Sequence, residues 1–538
     1  MVAGDGDVEW DCFLCGKGLR MRVARTSRSF LCGERRWVAR APLPRLGSTS
    51  PRERGTAAIR RTSGNNAQGD FELSILDLLL SHAGGYPALI PRILPSFRSL
   101  TQEYSMHPRR DFVIASAALS TLATTALAGP QAEGQTDRDK RPVRLGVMGL
   151  SRGQSLATGF NKLDGVEIAW VCDVDARRLS NSVKQLQEQG GGKAAPQTTG
   201  DFRDILADPQ VDGLVCAAPN HWHAPATIMA CKAGKHVYVE KPCSHNAREG
   251  EWMTAAAKEF DRCVQMGSQR RSAPGTQAAI SKLHSGAIGK VHLARCYYNS
   301  LRGPIGHGAE GQPPAEVDYE LWQGPAPHVP YRDNILPYNW HWFWHWGGGE
   351  LANNGVHALD LCRWGLDVDY PLRTVSSGGR YWYDDDQETP DVLSTCFEFE
   401  GGKQATFDSL SCNRHAPGYF CAFFGDDGSL ELDSDGVYRI FDRDDKQIEV
   451  GDQKSVGDVE HLQNFVDAIR AGDSSRLNQP ILEGHKSTLL CHLGNIAYRT
   501  GQTVLTDPAT GRLVGDDAEQ HALWQRDYDP AWVEAVSM

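Results

Sequence analysis

The sequence has no internal repeats, no low-complexity arrays and no excess of basic residues. Its 56 Lys and Arg are outnumbered by 67 Asp and Glu, which gives a net charge of −11. Beyond residue 128 the imbalance grows, because 39 basic residues there face 56 acidic ones, a net charge of −17. Phosphate backbones and anionic lipids repel a body this acidic, so we expect neither nucleic acid nor a membrane surface as a partner.

Cysteine is too irregular in number and spacing for a disulfide framework. Of the 14 cysteines, 11 lie beyond residue 128, an odd number in mostly apolar contexts that predicts buried thiols. Near the N-terminus, Cys12, Cys15 and Cys32 lack a fourth zinc ligand at a usable spacing. Two histidines, His341 and His345, have the spacing of metal ligands but no cysteine or carboxylate cluster beside them. We therefore predict no metal site.

The first 128 residues differ in kind from the rest. Residues 1–105 hold 14 Arg but one Lys and show little periodicity, which predicts an upstream extension before a true start at Met106. Residues 106–128 combine an Arg-Arg pair, a mildly apolar stretch and an Ala-x-Ala ending, the pattern of a twin-arginine export signal. The stretch is too short and too rich in Ala, Ser and Thr to predict a stable membrane span. We expect export to the periplasm or another extracytoplasmic space, with residues 129–140 as a linker.

The body opens with the pattern of a dinucleotide-binding fold. An apolar strand over Val143–Met148 leads into the turn Gly149-Leu150-Ser151-Arg152-Gly153, and a strand over Val166–Cys172 ends in Asp173. Such a turn lets backbone and a helix N-terminus approach a pyrophosphate, and the acid binds the ribose hydroxyls. Asp173 lies 24 positions after Gly149, near the expected spacing of about 20. Ser151 stands where the second glycine of the pattern belongs.

Asp173 also bears on the choice of cofactor. A carboxylate at this position accepts hydrogen bonds from a free 2′-hydroxyl and repels a 2′-phosphate, which favours NAD over NADP. Arg177 and Arg178 would partly reverse that preference if their side chains folded back over the site. We predict NAD, with NADP as the less favoured alternative.

The next α/β unit ends in a lysine at the carboxyl edge of the sheet. The pattern predicts a strand over residues 211–217, a turn, a helix over residues 223–233 and a second buried strand over His236–Val239. That strand delivers Glu240 and Lys241 to the edge where open parallel sheets bind their ligands. A lone Glu-Lys pair is more typical of a solvated ion pair, but this placement favours a functional lysine.

A tryptophan-rich segment, PYNWHWFWHWGGG, occupies residues 337–349. Its alternation of Trp with other residues predicts an extended segment with the indoles on one side. Trp340 and Trp342 could stack on the C–H faces of a pyranose ring, which favours a carbohydrate pocket. Burial in the core and anchoring of a subunit interface are the alternatives.

Periodicity in the second half predicts further elements of both kinds. The predicted strands are residues 291–298, 392–400 and 404–410, and the predicted helices are residues 355–364, Asp458–Ala471 and residues 483–499.

Taken together, these motifs resemble the Gfo/Idh/MocA oxidoreductase family, named for glucose-fructose oxidoreductase and inositol dehydrogenase. The segments GVMGLSRG, CDVD, APNHWHA, GKHVYVEKP and GGGELANNGVHALDLCRWG carry the resemblance, which runs from about residue 143 to about residue 505. It implies an α/β fold with an N-terminal Rossmann domain, residues 141–265. The second α/β domain, residues 266–480, would hold a large, open and mostly antiparallel sheet with the substrate site. Residues 481–538 would pack back on the Rossmann domain, and a homodimer or homotetramer is expected.

The resemblance assigns Lys241 and His357 to the active site, near the nicotinamide. The family's aspartate is replaced by Asn353, four residues before His357, so on a helix the two side chains should share a face. Asparagine orients a hydroxyl but accepts no proton, which leaves His357 or Lys241 as the base. Imidazole has a suitable pKa, whereas lysine needs burial or a neighbouring charge to lower its pKa.

The predicted site therefore has three parts. The catalytic residues are Lys241, His357 and Asn353, with Glu240 expected to orient the lysine. The residues predicted to bind the cofactor are Gly149, Leu150, Ser151, Arg152, Gly153, Asp173, Pro219, Asn220, His223, Glu240, Lys241 and Gln269. The residues predicted to bind the substrate are Trp340, Trp342, Asn354 and His357.

Three functions are compatible with these expectations. An exported dehydrogenase must hold its NAD tightly and regenerate it in place, so the favoured hypothesis is an oxidoreductase that acts on a sugar, a sugar-derived polyol or a glycoside. The second is an NAD-dependent glycoside hydrolase that works by transient oxidation and elimination. The third is a non-catalytic nucleotide- or sugar-binding protein, which Asn353 favours and the retained Lys241 and His357 oppose.

Overall fold

The computed structural model of the chain describes residues 141–189 and 193–538. The predicted upstream extension, its three cysteines and the export signal over residues 106–128 lie outside the described residues. Within the described residues, none of the helices is long and apolar enough to cross a membrane. The eleven cysteines of this part are free thiols, and nine of them are buried.

The first domain is built on a six-stranded parallel sheet with the strand order β3-β2-β1-β4-β5-β6. The strands are β1 (Val143–Met148), β2 (Val166–Cys172), β3 (Gln197–Thr199), β4 (Gly213–Cys216), β5 (His236–Val239) and β6 (Val264–Met266). The helices that follow the first five are α1 (Arg152–Asn161), α2 (Ala176–Gln189), α3 (Arg203–Ala207), α4 (Asn220–Lys232) and α5 (Ala247–Glu259). The strand order reverses between β1 and β4, and ligands of such sheets bind at that reversal.

The central strands of this sheet consist mainly of apolar residues because both of their faces are covered. β4 and β5 are buried almost throughout, as is typical of parallel strands between two helical layers. The burial explains why these segments form continuous apolar runs in the sequence. It also leaves only the carboxyl ends of the strands open to a ligand.

The second domain contains a nine-stranded sheet in which one neighbouring pair, β7 with β10, is parallel and the others are antiparallel. The order is β14-β13-β12-β11-β7-β10-β9-β8-β15. The strands are β7 (Val291–Asn299), β8 (Arg373–Gly379), β9 (Val392–Phe399), β10 (Lys403–Leu410), β11 (Cys421–Gly425), β12 (Gly428–Leu432), β13 (Tyr438–Asp442), β14 (Gln447–Gly451) and β15 (Val504–Leu505). The expected α/β class and mostly antiparallel second sheet are confirmed.

Helices cover one face of the large sheet and connect it to the first domain. They are α6 (Pro274–His284), α7 (Tyr319–Gln323), α8 (Val356–Leu366), α9 (Asp458–Ala471), α10 (Ile481–Thr500), α11 (Ala518–Ala522) and α12 (Val533–Val536). α8 contacts β7, β10 and β11, in which Phe407 and Phe423 are fully buried. α10 contacts α8 and β8 on one side and α5 of the first domain on the other.

The expectation of an extended tryptophan segment is wrong. Residues Asn339–Trp342 form a 3₁₀ turn, and Trp340 and Trp346 join a buried aromatic cluster with Tyr319 and Trp322. The alternation in this short segment comes from large indoles that are buried from a tight turn. Indole side chains tend to be buried in any backbone conformation. The core-packing alternative accounts for Trp346.

A buried carboxylate on α8 joins the segment after β6 to α10. Asp360 on α8 accepts hydrogen bonds from Arg271 Nε at 2.9 Å and Nη2 at 3.0 Å, and from Ser487 Oγ on α10 at 2.6 Å. Ser268 and Gln479 donate to it as well, at 3.2 and 3.0 Å. Burial alone would raise the pKa of Asp360, but the Arg271 guanidinium and these donors hold that pKa below its usual value. The carboxylate is therefore charged and fully paired.

We predict that Asp360→Asn destabilises the fold by about 3–5 kcal/mol, because it leaves the Arg271 guanidinium charged and uncompensated in the interior. Urea denaturation should show a lower midpoint with an unchanged slope. Asp369→Asn is the matched control, since Asp369 pairs with Arg363 and Lys486 at a half-exposed site and should cost about 1 kcal/mol or less. Equal losses in the two variants would contradict the prediction.

Candidate functional site

A cavity of about 640 Å³ lies between the carboxyl edge of the first sheet and the second domain. The first domain lines it with the turn after β1 and with the residues that follow β2, β4 and β5. The second domain lines it with residues after β7, with the tryptophan segment and with the start of α8. The cavity therefore brings together the two sets of residues that the sequence motifs predicted separately.

The turn after β1 has the backbone that close approach to a phosphate requires. Gly149 has a φ of 86°, and a Cβ there would lie 2.6 Å from the Ala217 carbonyl oxygen, so only glycine fits. The turn leads directly into α1, whose N-terminal N–H groups face the cavity edge. Gly153 lies inside α1 against Val147 and Ala217, where the lack of a side chain lets the helix pack closely on the sheet.

Asp173 is fixed by a hydrogen bond to the turn after β1, and the same bond stabilises the turn. Its carboxylate accepts the Leu150 N–H at 2.6 Å and the Asp175 N–H at 2.9 Å. Burial raises the pKa of Asp173, although the two backbone donors work against the rise. Each carboxylate oxygen keeps a lone pair for a ribose hydroxyl. The residues present therefore fit the adenosine half of a dinucleotide.

Two arginines beside Asp173 are already neutralised. Arg177 forms ion pairs with Asp175 at 3.0 Å and with Glu316, and Arg178 lies 3.8 Å from Asp175. The carboxylates that hold these guanidinium groups would also repel a 2′-phosphate. The arrangement favours NAD, as the sequence predicted.

A segment of the second domain closes the same end of the cavity. The Glu316 carbonyl accepts the Ala176 N–H at 3.1 Å, and the Val174 carbonyl accepts the Asp318 N–H at 3.0 Å. Pro314, Val317 and Leu321 of this segment line the cavity directly. The segment thus lies across the adenosine half of the site and is fixed to the chain just beyond Asp173.

Lys241 follows β5 and reaches across to the second domain. Its Nζ donates to the backbone oxygen of Asn353 at 2.6 Å and to Asn353 Oδ1 at 3.0 Å. Burial lowers the pKa of Lys241; the charges of Glu240 and Glu350 oppose that shift, and those of Arg152 and Arg302 add to it. Burial therefore makes the Lys241 proton easier to release than the proton of a solvated lysine.

The expected role of Glu240 needs correction. Its carboxylate accepts the Lys241 backbone N–H at 3.2 Å and pairs with Arg152 at 3.2 Å, and the lysine ammonium is held by Asn353 instead. Glu240 is buried, so its charge requires a close cation, and Arg152 on α1 supplies one. Glu240 therefore stabilises the turn after β1 and holds the backbone of Lys241, and it acts on the lysine ammonium through its charge.

Asn353 and His357 face the cavity from one helical run. Asn353 lies in a π-helical turn, Leu351–Gly355, which passes into α8 one residue before His357. Such turns occur often at functional sites because they redirect side chains within a helix. Both residues line the cavity, as their predicted shared face requires.

His357 is a neutral ring with one nitrogen sealed off. Burial, followed by the Lys241 charge, lowers the pKa of His357 well below its ordinary value. Its Nδ1 is buried and has no hydrogen-bond partner among the described residues. A buried N–H without an acceptor is rarer and costlier than an unpaired lone pair, so the proton belongs on Nε2. His357 therefore donates into the cavity, which makes Lys241 the better base.

Sequence reasoning missed a buried ion pair behind the site. Arg302 donates to Glu350 from Nε at 3.2 Å and from Nη2 at 3.1 Å, and Asn354 donates to the same carboxylate. The guanidinium lies 5.3 Å from the Trp342 ring, which supports it from below. Glu350 belongs to the GGGE part of the motif, but its partner Arg302 is 48 residues away in the sequence. No sequence pattern predicts a pair at that separation.

The other predicted residues fall into two groups. The cavity lining includes Gly149, Leu150, Ser151, Arg152, Asp173, Pro219, Asn220, His223, Glu240, Lys241, Gln269, Trp340, Asn353, Asn354 and His357. Gly153 and Trp342 are not among the described residues that line it, and each packs behind one that does. His223 is fixed between the Pro242 and Ala218 carbonyls, at 2.6 and 2.8 Å, and so connects the ends of β4 and β5.

Several lining residues were not among the predicted site residues, for example Tyr298, Arg302, Tyr338 and His341. The sequence had drawn attention to His341 only as a possible metal ligand. Over residues 141–189 and 193–538, His, Cys, Asp and Glu side chains form no group of three or more that could hold a metal ion.

Comparison with known proteins agrees with this arrangement. Residues 143–268 match the model of an oxidoreductase family with an NAD-binding Rossmann fold, and residues 276–431 match the Gfo/Idh/MocA C-terminal domain. Among curated relatives, a glycosyl hydrolase family 109 protein of Shewanella pealeana is 28% identical over 32% of this chain and 39% of its own length. One from Saccharopolyspora erythraea is 31% identical over 30% of this chain and 36% of its own length. The chain thus spans less than half of these relatives.

Solved structures show the same fold. Aldose-aldose oxidoreductase from Caulobacter crescentus, complexed with glycerol, is 19% identical with a TM-score of 0.53 and covers 68% of this chain and 100% of its own. Levoglucosan dehydrogenase, in complex with NADH and levoglucosan, is 16% identical with a TM-score of 0.54 and covers 68% and 99%.

The residue at the family's aspartate position offers a test of the lysine. We predict that Asn353→Asp raises the pKa of Lys241, because a carboxylate 3.0 Å from Nζ favours the charged ammonium. A lysine that accepts a proton as a neutral amine would make kcat/KM for oxidation rise with pH as Lys241 loses its own proton. The midpoint of that rise should move up by at least about one pH unit in the variant.

Asn353→Ala is the control, because it removes the amide without adding charge and should not move the midpoint upward. An equal shift in both variants, or no shift in the aspartate variant, would contradict a proton-accepting Lys241.

Proposed function

Because the chain belongs to the Gfo/Idh/MocA oxidoreductase family, we propose that it oxidises a hydroxyl group of a sugar, a sugar-derived polyol or a glycoside with tightly held NAD. The observation that carries the proposal is the position of Lys241. It stands in one cavity with the dinucleotide-binding turn and with His357, and burial lowers its pKa.

The proton of the oxidised hydroxyl is handled by the chain itself. Lys241, as a neutral amine, accepts that proton, and the two Asn353 oxygens hold the resulting ammonium. His357 Nε2 donates a hydrogen bond to the same substrate oxygen, and both donors stabilise the carbonyl that forms. NAD, when bound, supplies the hydride acceptor. Every residue needed for the proton step lies within the described cavity.

Retention of the cofactor is supported by the segment that crosses the adenosine half of the site. Its hydrogen bonds to Val174 and Ala176 would have to break before a bound dinucleotide could leave sideways. A protein that keeps its NAD must reoxidise it with a second substrate in the same cavity. This would suit an exported enzyme, and export remains a prediction from residues 106–128.

A second candidate is an NAD-dependent glycoside hydrolase that oxidises its substrate transiently. The names of the curated relatives, glycosyl hydrolase family 109 proteins, favour it. The first step would be the same hydride transfer beside Lys241 and His357. The two candidates therefore differ in whether a glycosidic bond breaks after oxidation.

The proposal is tested by mixing purified protein with a panel of aldoses, polyols and glycosides. We expect at least one compound to produce the absorbance of reduced nicotinamide on the retained cofactor within a single turnover. Lys241→Met should slow this step by at least about 100-fold, because the proton acceptor is lost. Lys258→Met on the exposed face of α5 is the matched control and should keep the parent rate.

The products separate the candidates. Reduced nicotinamide that persists until an aldose or ketone is added favours the oxidoreductase, and a new reducing end released from a glycoside without lasting reduction favours the hydrolase. No response to any compound would contradict both and favour a binding protein.

A further inference from the structure

His341 presents an unused hydrogen-bond acceptor inside the cavity. It lies in the Asn339–Trp342 turn, and its Nδ1 is 2.6 Å from the backbone oxygen of Tyr338. A carbonyl oxygen only accepts, so Nδ1 carries the proton and Nε2 carries the lone pair. Nε2 has no partner among the described residues, and the ring lines the cavity.

The ring is held in place on two sides. The Trp340 indole stacks on it with centroids 3.6 Å apart and planes 21° apart, and the Tyr338 ring centre lies 4.3 Å away. Trp340 itself belongs to the buried aromatic cluster. The direction of the Nε2 lone pair is thus set by packing, before any substrate arrives.

Several polar groups on this side of the cavity are donors or are already paired. Lys241 and His357 donate, Asn353 Oδ1 accepts from Lys241, and the Glu350 carboxylate accepts from Arg302 and Asn354. Each hydroxyl of a sugar brings a proton that needs an acceptor, and an unmet donor costs about 1–3 kcal/mol when buried. An acceptor that is fixed in direction and has a free lone pair therefore discriminates among substrates.

We propose that His341 is a specificity-determining residue, which accepts a hydrogen bond from a substrate hydroxyl other than the one that is oxidised. The oxidised hydroxyl meets Lys241 and His357, which come from the end of β5 and from α8. His341 comes from a separate segment and faces a different part of the substrate. This role rests on the proposed function, since it names a second recognition contact in the same cavity.

A neutral imidazole suits this position better than a carboxylate. Burial lowers the pKa of His341 to about 3, and the charges of Lys241 and Arg302 contribute to the shift. The ring thus stays an acceptor throughout the neutral range. A carboxylate in its place would pair with Lys241 or Arg302 and would raise the pKa of the lysine.

The test is a thermodynamic cycle that combines substitution of one side chain, His341, with replacement of one hydroxyl of the substrate. The sugar that the protein oxidises is compared with its monodeoxyfluoro analogues, in which each remaining hydroxyl is replaced in turn by fluorine, which cannot donate. For the parent protein we expect one analogue to lose at least about 100-fold in kcat/KM. His341→Leu should bring the ratio between the sugar and that analogue close to one.

His341→Gln is the second variant, because its amide oxygen can accept and should restore part of the discrimination. His345→Leu is the matched control from the same segment; its Nε2 is already bonded to the Pro327 carbonyl at 2.7 Å, and its loss should leave the ratio unchanged. The proposal is overturned if His341→Leu keeps the parent ratio, or if no analogue is discriminated by the parent protein.

Failure of this inference can be told from failure of the proposed function. If no sugar is oxidised, the same cycle is run on dissociation constants, measured by calorimetry with NAD-loaded protein and the same sugars and fluoro analogues. Coupling between His341 and one hydroxyl in binding would support the inference without any turnover, and equal ratios in parent and variant would overturn it.

Discussion

The geometry of the site depends on the buried carboxylate of Asp360. It receives donors from the turn after β6, through Arg271 and Ser268, and from α10, through Ser487. His357 lies one helical turn before Asp360, and Gln269 lies in the same turn as Arg271. The hydrogen bonds to this one side chain therefore hold α8, which carries His357, against the turn that follows β6 and against α10. Because the carboxylate is buried and charged, it tolerates little displacement of these partners.

The buried carboxylates around the cavity are each paired with an arginine, and Lys241 takes part in neither pair. Glu240 is held by Arg152, and Glu350 by Arg302, so each buried carboxylate has its own guanidinium. Within the described part of the cavity, Lys241 has no carboxylate at ion-pair distance, and its Nζ is bonded to amide oxygens. Amide oxygens satisfy the donors without favouring the charge as strongly as a carboxylate does. The two arginine pairs thus make it possible for the lysine to change its protonation state.

The sequence predicted the local parts of this structure well. β1, β2, β5 and α9 have the expected bounds, since each is an apolar or amphipathic run that ends at a glycine, an acid or a turn. The prediction of an extended tryptophan segment was wrong because a short alternating pattern is shared by strands and by tight turns that bury several indoles. The two-residue period of the tryptophans alone does not distinguish a strand from such a turn.

In the site, too, local relationships were predictable and contacts between distant residues were not. Asn353 and His357 could be placed on one helix face because they are four residues apart, and the family resemblance placed Lys241 beside them. The pair of Arg302 with Glu350 and the tautomer of His341 depend on contacts that only the folded chain creates. Glu240 was misassigned for the same reason: its neighbour in sequence is Lys241, but its neighbour in space is Arg152.

The asparagine at position 353 is better explained as a change that tunes the proton transfer than as a sign that catalysis has been lost. A cofactor that stays bound must be reduced and reoxidised in one place, so the group that takes the proton in one half-reaction must return it in the other. A base does both most effectively when its pKa lies near the working pH. An aspartate at position 353 would favour the charged lysine and slow the accepting half, whereas the amide leaves the pKa of Lys241 lowered by burial. Under the proposed function, the lowered pKa of Lys241 serves proton transfer, which a protein that only binds a sugar does not require.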